Sequence, residues 1–193
     1  MTGLKRPFLT IVTRCYKKPK ALAICRQSVK QQTDKDYEQV FIIDRKGRGR
    51  LEADRALAKF KYHNSGKYVM VLDDDDMIIS NTFISEIKAI SKKANHPDVI
   101  IWRGIIHPYG SGDPLPRKNN MWGVRPLLCQ IGSFCFCVKN EVYREHIHKF
   151  DHEDVSDFHF INSLFTAKCS SCWVDKIYVR TQKKSYGKAE DIG

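Results

Sequence analysis

Apolar and polar positions alternate with two different periods along the first half of the chain. Phe8 to Thr13 (FLTIVT) is a short β-branched run that reads as a strand, and Arg14 to Pro19 is the loop that ends it. From Lys20 to Gln32 the apolar residues Leu22, Cys25 and Val29 recur at helical spacing, predicting an amphipathic helix that Pro19 is suited to open. Glu38 to Ile43 reads as a second buried strand ending at Asp44. Leu51 to Phe60 is rich in strong helix formers. A third strand from Tyr68 stops abruptly at four consecutive aspartates, Asp73 to Asp76. Ser80 or Asn81 is suited to cap a helix with apolar positions Phe83, Ile84, Ile87 and Ile90, which His96-Pro97 ends. Val99 to Ile106 is another strand. This alternation predicts an α/β domain with a mostly parallel sheet flanked by helices.

The pattern changes at Pro108. Three prolines and two glycines between Pro108 and Asn120 predict a loop. Ile131 to Val138 returns to strand composition, and Glu141 to His146 reads as a short helix. Asp154 to Lys168 carries Val155, Phe158, Ile161, Leu164 and Phe165 at helical spacing. Trp173 to Val179 is the last expected strand, followed by a lysine-bearing tail from Lys183. There is no internal repeat, and 193 residues are expected to form one domain.

Composition adds bounds. With 42% hydrophobic and 28% charged residues the chain is an ordinary globular protein, not a disordered one. No apolar run approaches the ~20 residues of a membrane-spanning helix. The N-terminal residues lack the apolar segment of a signal peptide, so the expected location is the cytoplasm. Seven cysteines in no regular spacing read as buried thiols, and Cys169 and Cys172 lack a second pair at zinc-ligand spacing. The net charge of +11, with basic clusters at Lys17-Lys18, Arg45 to Arg50, Lys92-Lys93 and Arg117-Lys118, favours anionic partners.

Against that basic background the acidic run stands out. Adjacent carboxylates repel one another, and in a partly buried place the repulsion is costly unless a cation sits among them. Hard divalent ions such as Mg²⁺ or Mn²⁺ take oxygen ligands and are shared between carboxylates and substrate phosphates. If the first three strands are parallel neighbours, Thr13 to Tyr16, Asp44 and Asp73 to Asp76 converge on one sheet edge, where ligands of open α/β sheets bind. A nucleotide fits such an edge. Tyr16 is suited to stack on its base, Asp44 to accept from a base amide or ribose hydroxyl, and Arg55 to contact its phosphates.

This ordered set resembles a family-2-type glycosyltransferase of the GT-A (Rossmann-like) fold over most of the chain. The residues carrying the resemblance are Thr13 to Pro19, Gln31-Gln32-Thr33, Asp44, Ala53-Asp54-Arg55-Ala56 and Leu72 to Asp76, which holds the D-x-D element. Further on, Gly132-Ser133-Phe134 with Glu141-Val142-Tyr143 is similar to the acceptor-side strand and helix. His152 to Asp157 resembles the family's "ED" motif. The resemblance implies that residues 1–106 bind a nucleotide-sugar donor, of the UDP-sugar class, and that residues 107–193 hold the acceptor and the catalytic base. It implies that Thr13, Tyr16, Asp44, Arg55 and Asp74 contact the nucleotide. Asp73 and Asp75 would face Mn²⁺ or Mg²⁺, and Asp154 would be the base of an inverting transfer. The acceptor hydroxyl is expected on a polysaccharide, a phospholipid-linked glycan or hydroxymethylated DNA. One departure is plain: many family members carry a metal-ligating histidine near the C-terminus, and Val179 to Lys184 has none. A non-catalytic nucleotide or nucleic-acid binding module on the same scaffold is the alternative.

Overall fold

In the computed structural model of the chain, residues 6–47, 49–106, 113–152 and 154–182 are described. The first residues of the Pro108 loop, Glu153 and the tail from Lys183 lie outside them. The described residues form seven strands and five helices. In chain order these are β1 (Leu9–Cys15), α1 (Pro19–Lys30), β2 (Tyr37–Ile43), α2 (Arg50–Lys59), β3 (Tyr68–Val71), β4 (Asp76–Ile78), α3 (Phe83–Lys93), β5 (Val99–Ile105), β6 (Phe136–Lys139), α4 (Asn140–His146), α5 (Ser156–Thr166) and β7 (Ser171–Thr181).

One sheet runs in the order β2-β1-β3-β6-β5-β7-β4. β1 lies parallel between β2 and β3, and β5 is parallel to β7. β6 enters antiparallel to both β3 and β5, and β4 is antiparallel to β7. The architecture is thus the expected α/β one, with a sheet that is mixed: three parallel and three antiparallel pairings. Because β6 reverses twice, β1, β2, β3, β5 and β7 all end at the same edge.

The buried runs explain these strands. β1 and β3 are almost wholly buried, which suits their continuous β-branched composition. Trp102 of β5, Phe83 of α3 and Tyr178 of β7 pack edge to face, with ring centroids 5.0, 5.2 and 6.4 Å apart. A second cluster joins Phe136, Tyr143, Phe150 and Phe160 where α2, α4 and α5 meet the 3₁₀ turn Ile147–Phe150. Burying each such side chain contributes roughly 1.5–3 kcal/mol.

Several boundaries differ from the sequence reading, among them the strand expected from Ile131, which begins only at Phe136 after a 3₁₀ turn at Ser133–Cys135. β4 begins at the last aspartate of the acidic run, pairing Asp76 with Thr181 and Ile78 with Val179. α3 opens at Phe83 with Thr82 at the N-cap position, because the Ser80 and Thr82 hydroxyls bond to each other, 2.9 Å apart, in a turn before the helix. All seven cysteines are free thiols. No described helix is long and apolar enough to cross a membrane.

Candidate functional site

The site is built where β1, β2 and β3 end. β1 and β2 run in register as far as Cys15 and Ile43, and Asp44 N–H donates to the Cys15 carbonyl at 2.9 Å. Asp74 N–H donates to the Arg14 carbonyl at 3.1 Å, tying the acidic run to the same strand end. Tyr16, Asp44 and the aspartates therefore share one edge, as the parallel arrangement requires.

Asp44 folds the next turn by accepting the N–H groups of Lys46 (2.9 Å) and Gly47 (3.1 Å) on Oδ1. Gly47 has φ +68° and lies against the Tyr16 ring so closely that a Cβ there would collide with the phenol. Tyr16 is half-buried, and the Lys17 ammonium stands 5.5 Å from its ring centroid. An aromatic face beside an aspartate-capped turn is the pair expected to hold a base and ribose.

The four aspartates do four different things. Asp73 accepts a bidentate pair from Arg14, Nε to Oδ1 and Nη2 to Oδ2, both at 2.6 Å. Asp74 accepts Tyr16 N–H at 2.9 Å, and burial pushes its carboxyl up to about 6 against the pull of that hydrogen bond and of Lys18. Asp75 accepts the Lys18 ammonium on Oδ2 at 2.7 Å. Asp76 is only 2% exposed and accepts Asp73 N–H at 3.1 Å; burial, then Asp73 and Asp75, raise it well above the carboxylate range.

Arg14 is the hub. Its Nη1 also donates to Asp54, which is buried in α2. Burial works against the guanidinium, yet Asp73 and Asp54 outweigh it and hold the charge firmly in place. Asp157, in the first turn of α5, faces the same group: burial raises its pKa, Arg14 lowers it and Asp54 raises it. Six carboxylates (Asp54, Asp73, Asp74, Asp75, Asp76 and Asp157) thus gather around two cations, Arg14 and Lys18. The far end of β7 closes the edge. Gln182 N–H donates to the Asp75 carbonyl at 2.7 Å, and its Nε2 donates to the carbonyls of Ala21 (3.0 Å), Asp74 and Asp76 (both 3.3 Å).

The structure brings together Tyr16, Asp44, Asp73, Asp74 and Asp75. It does not bring the other expected residues to the same place. Thr13 is fully buried, and its hydroxyl accepts from Gln39 at 2.9 Å between β1 and β2. Arg55 pairs with Glu52 and Asp151, both at 2.9 Å, because Asp54 points inward and the next helical residue is turned about 100° away. Asp154 is 94% exposed and accepts from Arg50 at 3.3 Å. Between it and α5 lies Val155 at φ +46°, a strained turn for a β-branched residue, so Asp154 and Asp157 are presented differently.

Arg14, Lys18, Asp54 and Asp157 are functional candidates that the sequence reading passed over. Two had a readable signal. Asp54 is buried on α2 with Leu57, and Asp157 precedes the buried Phe160, Ile161 and Leu164 of α5 by three, four and seven residues, so each is an acid at the spacing of an apolar stripe.

Among the described residues no three His, Cys, Asp or Glu side chains converge as a metal cage. Asp73 has both oxygens on Arg14, whereas half-buried Asp75 has one oxygen on Lys18 and one left for an incoming ligand. That donor set fits a divalent ion arriving with substrate phosphates and water, not one caged by protein alone.

The sequence matches no family profile and no curated protein. Solved structures do share its fold. S. aureus TarS 1–349 in complex with UDP superposes with TM-score 0.66 at 12% identity, over 91% of this chain and 60% of that one. The same protein in complex with UDP-GlcNAc gives 0.67 at 14%, over 94% and 60%. A197 from STIV gives 0.51 at 13%, over 96% of this chain and 100% of that one. This chain therefore spans about 60% of the TarS structures it matches. The likeness shows that this chain shares the Rossmann-like α/β fold of these structures, as expected from the sequence.

Proposed function

We propose that the chain is a glycosyltransferase moving a sugar from a UDP-sugar to an acceptor hydroxyl, with inversion at the anomeric carbon. The observation that carries this reading is the convergence of the Tyr16–Asp44 turn and the acidic run on one sheet edge. It is supported by a fold shared with TarS, solved with UDP and with UDP-GlcNAc.

In this reading Tyr16 lies flat on the base, Asp44 and Asp74 accept from ribose or base, and the diphosphate lies over Asp75 and Lys18. A Mn²⁺ or Mg²⁺ ion held by Asp75 would supply positive charge to the departing diphosphate. Asp73 positions Arg14. The acceptor oxygen attacks the anomeric carbon, the bond from that carbon to the diphosphate oxygen breaks, and the hydroxyl proton passes to a carboxylate. The resemblance names Asp154 as that carboxylate. Its exposure and its pairing with Arg50 favour Asp157, whose raised pKa brings it closer to the range in which a general base works at neutral pH.

The test is UDP release from a panel of UDP-sugars with Mn²⁺, with and without acceptors. Asp75→Asn and Asp157→Asn are each expected to lower turnover by about 10²–10⁴-fold, with Asp154→Asn near wild type. Loss in Asp154→Asn alone returns the base role to Asp154. A protein that neither binds nor turns over any UDP-sugar sinks the reading.

A further inference from the structure

The Lys18–Asp75 pair sits where a donor diphosphate must enter. The two side chains are 18% and 25% exposed, and Nζ is 2.7 Å from Oδ2. A divalent ion approaching Asp75 meets an ammonium already in place, and two cations on one carboxylate repel at that range. Asp73 is the poorer alternative, since Arg14 already bonds both its oxygens. The backbone beneath is pinned: Gln182 holds the carbonyls of Asp74, Asp75 and Asp76. What can move is the Lys18 side chain, four methylenes long, on a residue that directly precedes α1. At that end of α1 Pro19 opens the helix, no side chain caps it, and its first turn carries no acid. Nothing negative on the helix competes with a phosphate for the ammonium.

On the donor reading above, we infer that Lys18 and a divalent cation are alternative partners of Asp75. In the nucleotide-free protein Lys18 neutralises Asp75 and weakens its hold on a metal ion. Donor entry draws the ammonium onto a diphosphate oxygen and releases Asp75 to the ion carried by the same diphosphate. The chain thus holds the diphosphate by Lys18 without metal, and takes metal well only with the nucleotide.

Two binding measurements on the full chain test this, both independent of turnover. In the first, Mn²⁺ is titrated into nucleotide-free protein and free Mn²⁺ is read by electron paramagnetic resonance. Lys18→Met is expected to bind Mn²⁺ about fivefold more tightly than wild type. Lys18→Arg, which keeps the charge, is expected to match wild type, and Asp75→Asn added to Lys18→Met to remove the gain. In the second, UDP is titrated by calorimetry in excess EDTA. Lys18→Met is expected to lose about fivefold in affinity and Lys18→Arg to retain it. Circular dichroism checks that each variant is folded, with Lys18→Arg as the conservative control. The inference is overturned if Lys18→Met changes Mn²⁺ affinity by less than twofold, or binds UDP in EDTA as wild type does. If wild-type protein binds no UDP with or without Mn²⁺, the donor reading itself falls, and this inference with it.

Discussion

Asp74 is 5% exposed, and its backbone-bonded carboxyl is pushed up to about 6 by burial. Between about pH 4 and 6 the folded protein therefore keeps a proton that the unfolded chain has released, and stability falls as pH rises through that window. At pH 8 the buried charge is a cost of about 1–3 kcal/mol. Asp74→Asn keeps an oxygen for the Tyr16 N–H and removes the charge. It is expected to raise the urea midpoint at pH 8, with the gain shrinking to nothing below pH 4. A lower midpoint at pH 8 would show that the carboxylate is stabilising instead. Such a cost is what a site built for a cation carries. The acidic run was legible because four like charges directly after a buried strand repel one another unless cations sit among them. Arg14 was not legible, since an arginine at a strand end is ordinary until its partners are known. Those partners, Asp54 and Asp73, lie 40 and 59 residues away. Asp154 stands apart from the cluster for a related reason: motif spacing cannot register the turn at Val155.

Glu86 joins α3 to β7 in the opposite electrostatic sense. It accepts the Thr82 hydroxyl, the Lys176 ammonium and the Tyr178 phenol, each at 2.6 Å. Burial works to raise its pKa, but these three donors outweigh it and bring the carboxyl down to about 2. Its contribution is complete above the unfolded value of about 4.3 and is lost as pH falls toward 2. Glu86→Gln is expected to cost about 1–2 kcal/mol in urea unfolding at pH 7, a figure discounted for partial exposure, and nothing near pH 2. A cost that stays constant across that range would mean packing, not charge, carries the contact. Most strands and helices of this framework were readable from period alone, because β1, β3 and β5 are continuous apolar runs and α1 and α3 carry clean stripes. The pairing order was not. β6 lies between β3 and β5 through contacts with residues about 40 or 70 positions earlier, and local pattern carries no record of those. β4 was hidden because it starts on an aspartate.

The charge of the molecule is divided between an acidic cluster at one sheet edge and a basic exterior. Beyond the site, residues 114–140 contain no Asp or Glu but carry Arg117, Lys118, Arg125 and Lys139. Lys139 is committed to Asp98 (2.9 Å) and Lys118 to Asp175 (2.8 Å), whereas Arg117 and Arg125 are exposed on the irregular segment between β5 and β6. If this face receives an anionic acceptor, affinity must fall steeply with salt, since each phosphate contact releases a counterion. Short duplex DNA is a convenient anionic probe. Its binding between 50 and 200 mM salt is expected to give a linear log–log plot. Arg117→Ala and Arg125→Ala should each flatten that slope by about one, and Lys118→Ala by less, because Asp175 already neutralises Lys118. These substitutions lie outside the acidic cluster, so UDP affinity should stay unchanged in all three. A salt response that is flat, or that none of the three alters, would assign the segment to solubility and leave an uncharged acceptor as the better match. The +11 charge was legible from composition, but which cations are free to meet an acceptor depends on the pairings that folding imposes.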